Sequence, residues 1–260
     1  MSGKKILIIA IVSLFIVIAI LVVYSIFTVM PHNPLEGSEQ LVLVVSRTET
    51  AQKAVLHAFD RDGNTWRFNF SCPVVIGKNG MAWGRGFHND RVIIEGEPKK
   101  IEGDSRTPKG AFELIRAYGY QMPEMVRIKF PYVQITPDMI CIDDARSEYY
   151  NMIVRTDEKK FDAENLPSHE DMLRDDNLYK YAVLIGHNTE NPEKGAGSCI
   201  FLHIWKDEDS YTAGCTAMSE ASMLQLLAWL DPDKKPCIVQ LTRRSYQRLK
   251  EEYGLPDVTI

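Results

Sequence analysis

The chain has 260 residues, 45% of them hydrophobic and 25% charged, with 30 Lys+Arg against 35 Asp+Glu for a net charge of −5. These are the proportions of a folded protein, and they exclude disorder over most of the length as well as any collagen-like or low-complexity class. The balance is mildly acidic and the bases form no cluster larger than adjacent pairs such as Lys99 with Lys100 and Arg243 with Arg244, which excludes the basic footprint that nucleic-acid binding requires.

The first element is apolar. Ile6 to Met30 contains no charge, and as a helix it would reach about 37 Å at roughly 1.5 Å per residue, enough to cross a hydrocarbon core of about 30 Å with tilt. Lys4 and Lys5 precede it and no base follows closely, so the positive-inside rule places the N-terminus in the cytoplasm and the rest of the chain outside. The run exceeds the length of a signal-peptide core and lacks a small-residue cleavage site, so an uncleaved anchor over 1–30 is expected. Residues 31–40 turn to Pro, Asn, Glu, Gly and Ser, the composition of a short tether, and one domain is expected over 41–260.

Within that domain, short β-rich runs separated by turn residues predict strands at Leu41 to Ser46, Cys72 to Ile76, Val92 to Glu95, Ala111 to Ile115 and Val126 to Phe130. Further strands are expected at Tyr181 to Gly186, Cys199 to Trp205 and Cys237 to Leu241. Ser168 to Arg174 reads as a short helix with a near capping box. A stronger helix starts at the N-cap Ser219 and carries Met223, Leu224, Leu226, Leu227 and Leu230 toward a core, with Pro232 closing it. Ser245 to Tyr253 reads as a terminal helix. The fold class is α+β with β dominant.

The five cysteines are an odd number, so outside the cytoplasm at least one is left unpaired. Cys72, Cys141, Cys199 and Cys237 adjoin apolar runs and read as buried hydrophobes or disulfide halves, and their pairing stays open. Cys215 sits instead in a small-residue turn, Thr212-Ala213-Gly214-Cys215, ahead of the Ser219 helix. A helix N-terminus nearby would lower the thiol's pKa, and Gly214 would leave N–H groups open to a developing oxyanion. A thiolate nucleophile needs a base. His203, at the end of the preceding strand, and His187, at the end of the neighbouring one, are the candidates. The same three residues are acceptable zinc ligands, although their long spacings lack the local pairing of zinc motifs. No metal or cofactor is expected.

Ile200-Phe201-Leu202-His203 followed by Thr212-Ala213-Gly214-Cys215 resembles the active-site signature of the YkuD-type L,D-transpeptidases. The resemblance extends to Gly77-Lys78-Asn79-Gly80, Thr107-Pro108-Lys109-Gly110, Cys141-Ile142-Asp143-Asp144, Tyr150-Asn151 and Ser198-Cys199, and covers roughly Cys72 to Leu241. It implies a β-sandwich-like fold in a bacterial membrane-anchored enzyme acting on peptidoglycan peptide stems, with Cys215 as nucleophile and His203 as general base and acid. Gly214, Thr216, Thr212, Ser198 and His187 would hold the oxyanion or shape the site. The chain departs from the family turn, with Ala213 in place of His and Thr216-Ala217 in place of Ile-Arg. The alternatives are an L,D-carboxypeptidase, a hydrolase that cuts protein from peptidoglycan by the same thioester chemistry, or a non-catalytic cell-wall binding module.

Overall fold

The computed structural model describes residues 15–18, 33–88, 90–157 and 168–259. The chain separates into two compact units, Met1–His32 and Asn33–Ile260. The expected span from Ile6 to Met30 lies outside the described residues except for 15–18, which are helical. Among the described residues no helix is long and apolar enough to cross a membrane.

The second unit is built from strands β1 (Gln40–Ser46), β2 (Lys53–Asp62), β3 (Thr65–Val75), β4 (Met81–Trp83), β5 (Thr107–Gly119), β6 (Tyr132–Gln134), β7 (Met139–Cys141), β8 (Ile153–Arg155), β9 (Glu170–Asp171), β10 (Tyr181–Ile185), β11 (Phe201–Ile204), β12 (Thr216–Met218) and β13 (Cys237–Thr242). Among the described residues two α-helices complete it, α1 (Glu220–Trp229) and α2 (Arg243–Tyr253). Predominance of β with few helices is as expected. The sandwich is corrected, because the strand order β10-β11-β12-β3-β2-β1-β13-β5 returns from β5 to β10, which pair antiparallel. Pairing the two ends removes the free edges of an open sheet, so the main sheet is barrel-like.

The inward-facing residues of this barrel, among them Val42, Leu56, Phe112, Val183 and Leu202, form one core with Met223, Leu226, Leu227 and Leu230 of α1. Ser219 caps that helix as expected, its Oγ accepting from the Ser222 N–H at 3.1 Å. On the other face of β1 and β13, Leu41, Leu43, Val239 and Leu241 are covered by Tyr246, Leu249 and Tyr253 of α2. That helix begins at Arg243, two residues earlier than expected, because Thr242 rather than a later residue caps it, accepting from Ser245 N–H. Residues 34–37 form a turn with Leu35 buried, and the Glu39 N–H donates to Lys234 O at 2.8 Å.

Three expected elements differ. Val92 closes a 3₁₀ segment, Asp90–Val92, and Ile93 to Glu95 follow it without strand structure. Val126 to Phe130 alternates like a strand but has no ladder partner; pairing with β5 begins beyond Pro131, at Tyr132. Ser168 to Arg174 is not helical, because Glu170 and Asp171 pair antiparallel with Cys141 and Ile140 as β9 of a small three-stranded sheet, β8-β7-β9. This tertiary pairing overrides the local capping pattern.

The small sheet is tied to the barrel by a disulfide, Cys141–Cys199, whose halves are separated by 58 positions in the sequence. Cys72, Cys215 and Cys237 are free and buried. A cross-link closing a loop of that length stabilises by about 4 kcal/mol through the unfolded chain. Reduction of Cys141–Cys199 is therefore expected to lower the unfolding free energy from urea titration by an amount of that order, and the urea midpoint with it, without changing the far-ultraviolet circular dichroism. Equal midpoints before and after reduction would contradict a closed disulfide.

Candidate active site

Strand β11 ends on His203 and Ile204, and β12 starts immediately after Cys215. The two strands run parallel, with Leu202 opposite Thr216 and His203 opposite Ala217. Register alone therefore delivers the nucleophile candidate alongside the strand that carries the base. Cys215 and His203 line one cavity of about 220 Å³.

The turn before Cys215 is held from several sides. Thr212 Oγ1 donates to Cys215 O at 2.6 Å and accepts from Gly214 N–H at 3.1 Å, and Thr107 Oγ1 donates to the same carbonyl at 3.1 Å. Gly214 adopts φ 155°, and a Cβ there would lie 3.2 Å from Arg106 O, so the turn accepts only glycine without rearrangement. Its amide is committed to Thr212, which removes it from the oxyanion role expected of it.

The Cys215 thiol donates to Cys199 O at 3.6 Å, and Sγ accepts from Phe201 N–H at 3.4 Å. Cys199 is itself fixed by its disulfide, by its N–H donating to Asn151 Oδ1 at 2.8 Å, and by a left-handed φ of 54°. The expected depression of the Cys215 pKa is corrected: burial first, and then the nearby Glu170 charge, push the thiol up to about 12 against the opposing Phe201 N–H and Tyr179 hydroxyl. The helix start at Glu220 follows Cys215 only after the whole of β12.

His203 Nδ1 lies 2.7 Å from Ile204 O. Burial lowers its pKa to about 4, so near neutral pH the ring is neutral. The carbonyl partner then requires the proton on Nδ1 and leaves the Nε2 lone pair to accept. At rest the site thus holds a protonated thiol and a neutral imidazole.

His187 stands elsewhere. Its Nε2 lies 3.0 Å from Ala196 O and its Nδ1 accepts from Arg85 N–H at 3.2 Å, with burial lowering its pKa to about 3. Ser198 Oγ donates to Glu102 Oε2 at 2.6 Å, and Thr216 Oγ1 donates to Gln240 Oε1 at 2.6 Å. Of the five residues expected to shape the site, only Thr212 lines the cavity. The zinc set His187, His203 and Cys215 is not assembled, and among the described residues no group of three or more candidate ligands could hold a metal ion. Glu170, Arg174 and Tyr179 also line the cavity. Sequence reasoning missed them because the segment around Glu170 carried a helix-like cap pattern.

The family model of the L,D-transpeptidase catalytic domain (YkuD) matches residues 41–239. The chain belongs to this family. The L,D-transpeptidase match thus spans all the cavity-lining elements, from β3 through the Cys215 turn. Among solved structures, the chain is similar to the structure of Bdellovibrio bacteriovorus Bd1075, at 14% identity and a TM-score of 0.37, over 84% of this chain and 55% of that one. The chain thus spans about half the length of that protein. No curated protein matches.

Two buried histidines with depressed pKa values make stability pH-dependent. Each binds a proton more readily when unfolded, near its ordinary 6.5, than when folded, at about 4 for His203 and about 3 for His187. The stability each contributes is present above pH 6.5 and is lost as pH falls below it. Unfolding free energy measured from pH 7 down to pH 4 is expected to fall by up to about 1.4 kcal/mol per pH unit for each histidine, and less steeply in His187→Gln.

Proposed function

We propose that the protein is a peptidoglycan L,D-transpeptidase in which Cys215 forms an acyl-enzyme and His203 moves the protons. The observation that carries this reading is that Cys215 and His203 line one cavity of a YkuD-family domain, with His203 Nδ1 engaged by Ile204 O. In this reading the thiol proton passes to His203 Nε2 as sulfur attacks the carbonyl of an L,D peptide bond in a donor stem. The backbone N–H of Cys215 holds the oxyanion. His203 then protonates the leaving D-alanine amine; an amine on an acceptor stem attacks the thioester carbonyl as His203 takes its proton, the C–S bond breaks, and that proton returns to the Cys215 sulfur. Membrane anchoring through Ile6 to Met30, with the domain outside, belongs to the same proposal. It is supported by the uncharged apolar run and by the Cys141–Cys199 disulfide, a bond that persists in oxidising compartments.

A second outcome of the same chemistry is favoured by Ala213 and Ala217, which line the cavity where the family turn carries His and Arg. Without the Arg clamp, water can replace the acceptor amine and the enzyme trims stems as an L,D-carboxypeptidase. Dimers or tripeptides formed from defined tetrapeptide stems distinguish the two.

The protein is expected to take up one carbapenem covalently, read by intact-mass spectrometry, and Cys215→Ala to take up none. His203→Ala is expected to acylate about 10²–10⁴ more slowly, the usual size of a general acid–base contribution. An adduct that survives in Cys215→Ala would sink the nucleophile assignment.

A further inference from the structure

Two threonine hydroxyls converge on one atom that takes no part in the reaction proposed above, the carbonyl oxygen of Cys215. Thr107, the first residue of β5, is fully buried. Its hydroxyl accepts from Gly77 N–H at 2.9 Å and donates to Cys215 O at 3.1 Å. Thr212 Oγ1 donates to the same oxygen at 2.6 Å and accepts from Gly214 N–H at 3.1 Å. A hydroxyl has one proton, so each threonine gives its only donor to this oxygen, and a carbonyl oxygen has two lone pairs, so both are taken.

Both threonines are tied in turn to the segment 76–78. Thr212 N–H donates to Ile76 O at 3.0 Å and Lys78 N–H donates to Thr212 O at 2.9 Å, while the Gly77 amide holds the Thr107 hydroxyl. Only glycine allows this approach, since a Cβ at Gly77 would lie 2.5 Å from Ser105 O and 2.7 Å from Thr107 N.

These bonds act on successive peptide planes of the turn. The plane ahead of Gly214 is fixed by its N–H on Thr212, and the plane that follows Cys215 is fixed by the two hydroxyls on its C=O. The plane between them carries the Cys215 N–H and is bracketed from both sides. That N–H is the oxyanion donor of the proposed reaction, and such a donor acts only if it is aimed before charge develops. We infer, building on that reading, that Thr107 is a positioning residue: through the Cys215 carbonyl it aims the Cys215 N–H at the developing oxyanion, with Thr212 as its partner and Gly77 as its anchor.

Acylation and alkylation of Cys215 separate this role from a merely structural one, because only acylation passes through an oxyanion. p-Nitrophenyl acetate transfers its acetyl group to the sulfur, and the thiol proton leaves with the nitrophenol. Iodoacetamide alkylates the same sulfur by displacing iodide at a saturated carbon. Both adducts are localised by peptide mass mapping, with Cys215→Ala as control. Thr107→Val keeps the shape of the side chain and removes the hydroxyl, so its acetylation is expected to be about tenfold to 10²-fold slower than the parent's, with alkylation within about twofold. Thr107→Ser restores the hydroxyl and is expected to recover the parent rate. Acetylation of Thr107→Val at the parent rate, a parallel fall in both of its rates, or no recovery in Thr107→Ser overturns the proposal. If Thr107→Val does not fold, because Gly77 N–H has lost its acceptor, Thr212→Val removes the other hydroxyl and is held to the same two rates. A parent that is alkylated but not acetylated contradicts the oxyanion role of the turn and overturns the proposal as well. A parent that is acetylated but inert toward carbapenem counts against the peptidoglycan reading alone.

Discussion

The parallel pairing of Phe201–Ile204 with Thr216–Met218 is the constraint on which the site depends. A parallel pair cannot be joined by a tight hairpin, so the chain must leave the C-terminal end of β11 and cross back to the end where β11 began, beside Cys199 and Phe201, before β12 starts. The return segment, from Trp205 to Gly214, forms one wall of the cavity, and its last turn carries Cys215. His203 and Cys215 are therefore brought together by backbone hydrogen bonding rather than by contact between their own side chains. Barrel closure through β5 and β10 extends the rigidity, because β10 is also the antiparallel neighbour of β11, with Ala182 opposite His203. The base thus sits on a strand paired on both sides.

Around this frame the electrostatics are those of a dry pocket. Burial acts on both partners toward neutrality, raising Cys215 and lowering His203, so the resting state holds no buried ion pair and bears no desolvation cost for one. In the proposed reaction, charge separates only when a substrate carbonyl is there to receive the sulfur. The supports of the thiol also come from the backbone, with Cys199 O and Phe201 N–H on either side of it. Cys199 is pinned by the disulfide, by Asn151 and by a left-handed backbone angle at once. The Asn151 Nδ2 in turn donates to His187 O and Asn188 O. His187 thereby meets the site through its backbone carbonyl, three hydrogen bonds from the Cys215 sulfur.

Legibility in the sequence followed the range of the interactions involved. Cys215 and His203 were readable because strand, turn and helix signals lie close together around them, and the Ser219 cap is a local hydrogen bond. The β2–β3 hairpin was missed beyond Cys72, although Asp62-Gly63 marks its turn, with Gly63 at φ 58° between the paired Asp62 and Thr65. β3 exposes much of its length, so its apolar alternation is weak. Glu170 and Tyr179 gave no local signal, because Glu170 reaches the pocket only through pairing with Cys141. The cysteine pairing was equally hidden, since the 58-residue separation of Cys141 and Cys199 is bridged by tertiary structure. The closed sheet was taken for a sandwich because closure is set by the β5–β10 pair, a contact between segments far apart in the chain.

The central claim is that the Cys215 sulfur becomes acylated by a peptide stem. Mixing the protein with a defined tetrapeptide-stem fragment, quenching in acid and mapping the peptides by mass tests it most directly. The account predicts a tripeptide acyl group on the peptide that contains Cys215, matched by released D-alanine and absent from Cys215→Ala. Stem turnover by Cys215→Ala at the parent rate, or an acyl group on any other residue, would contradict it.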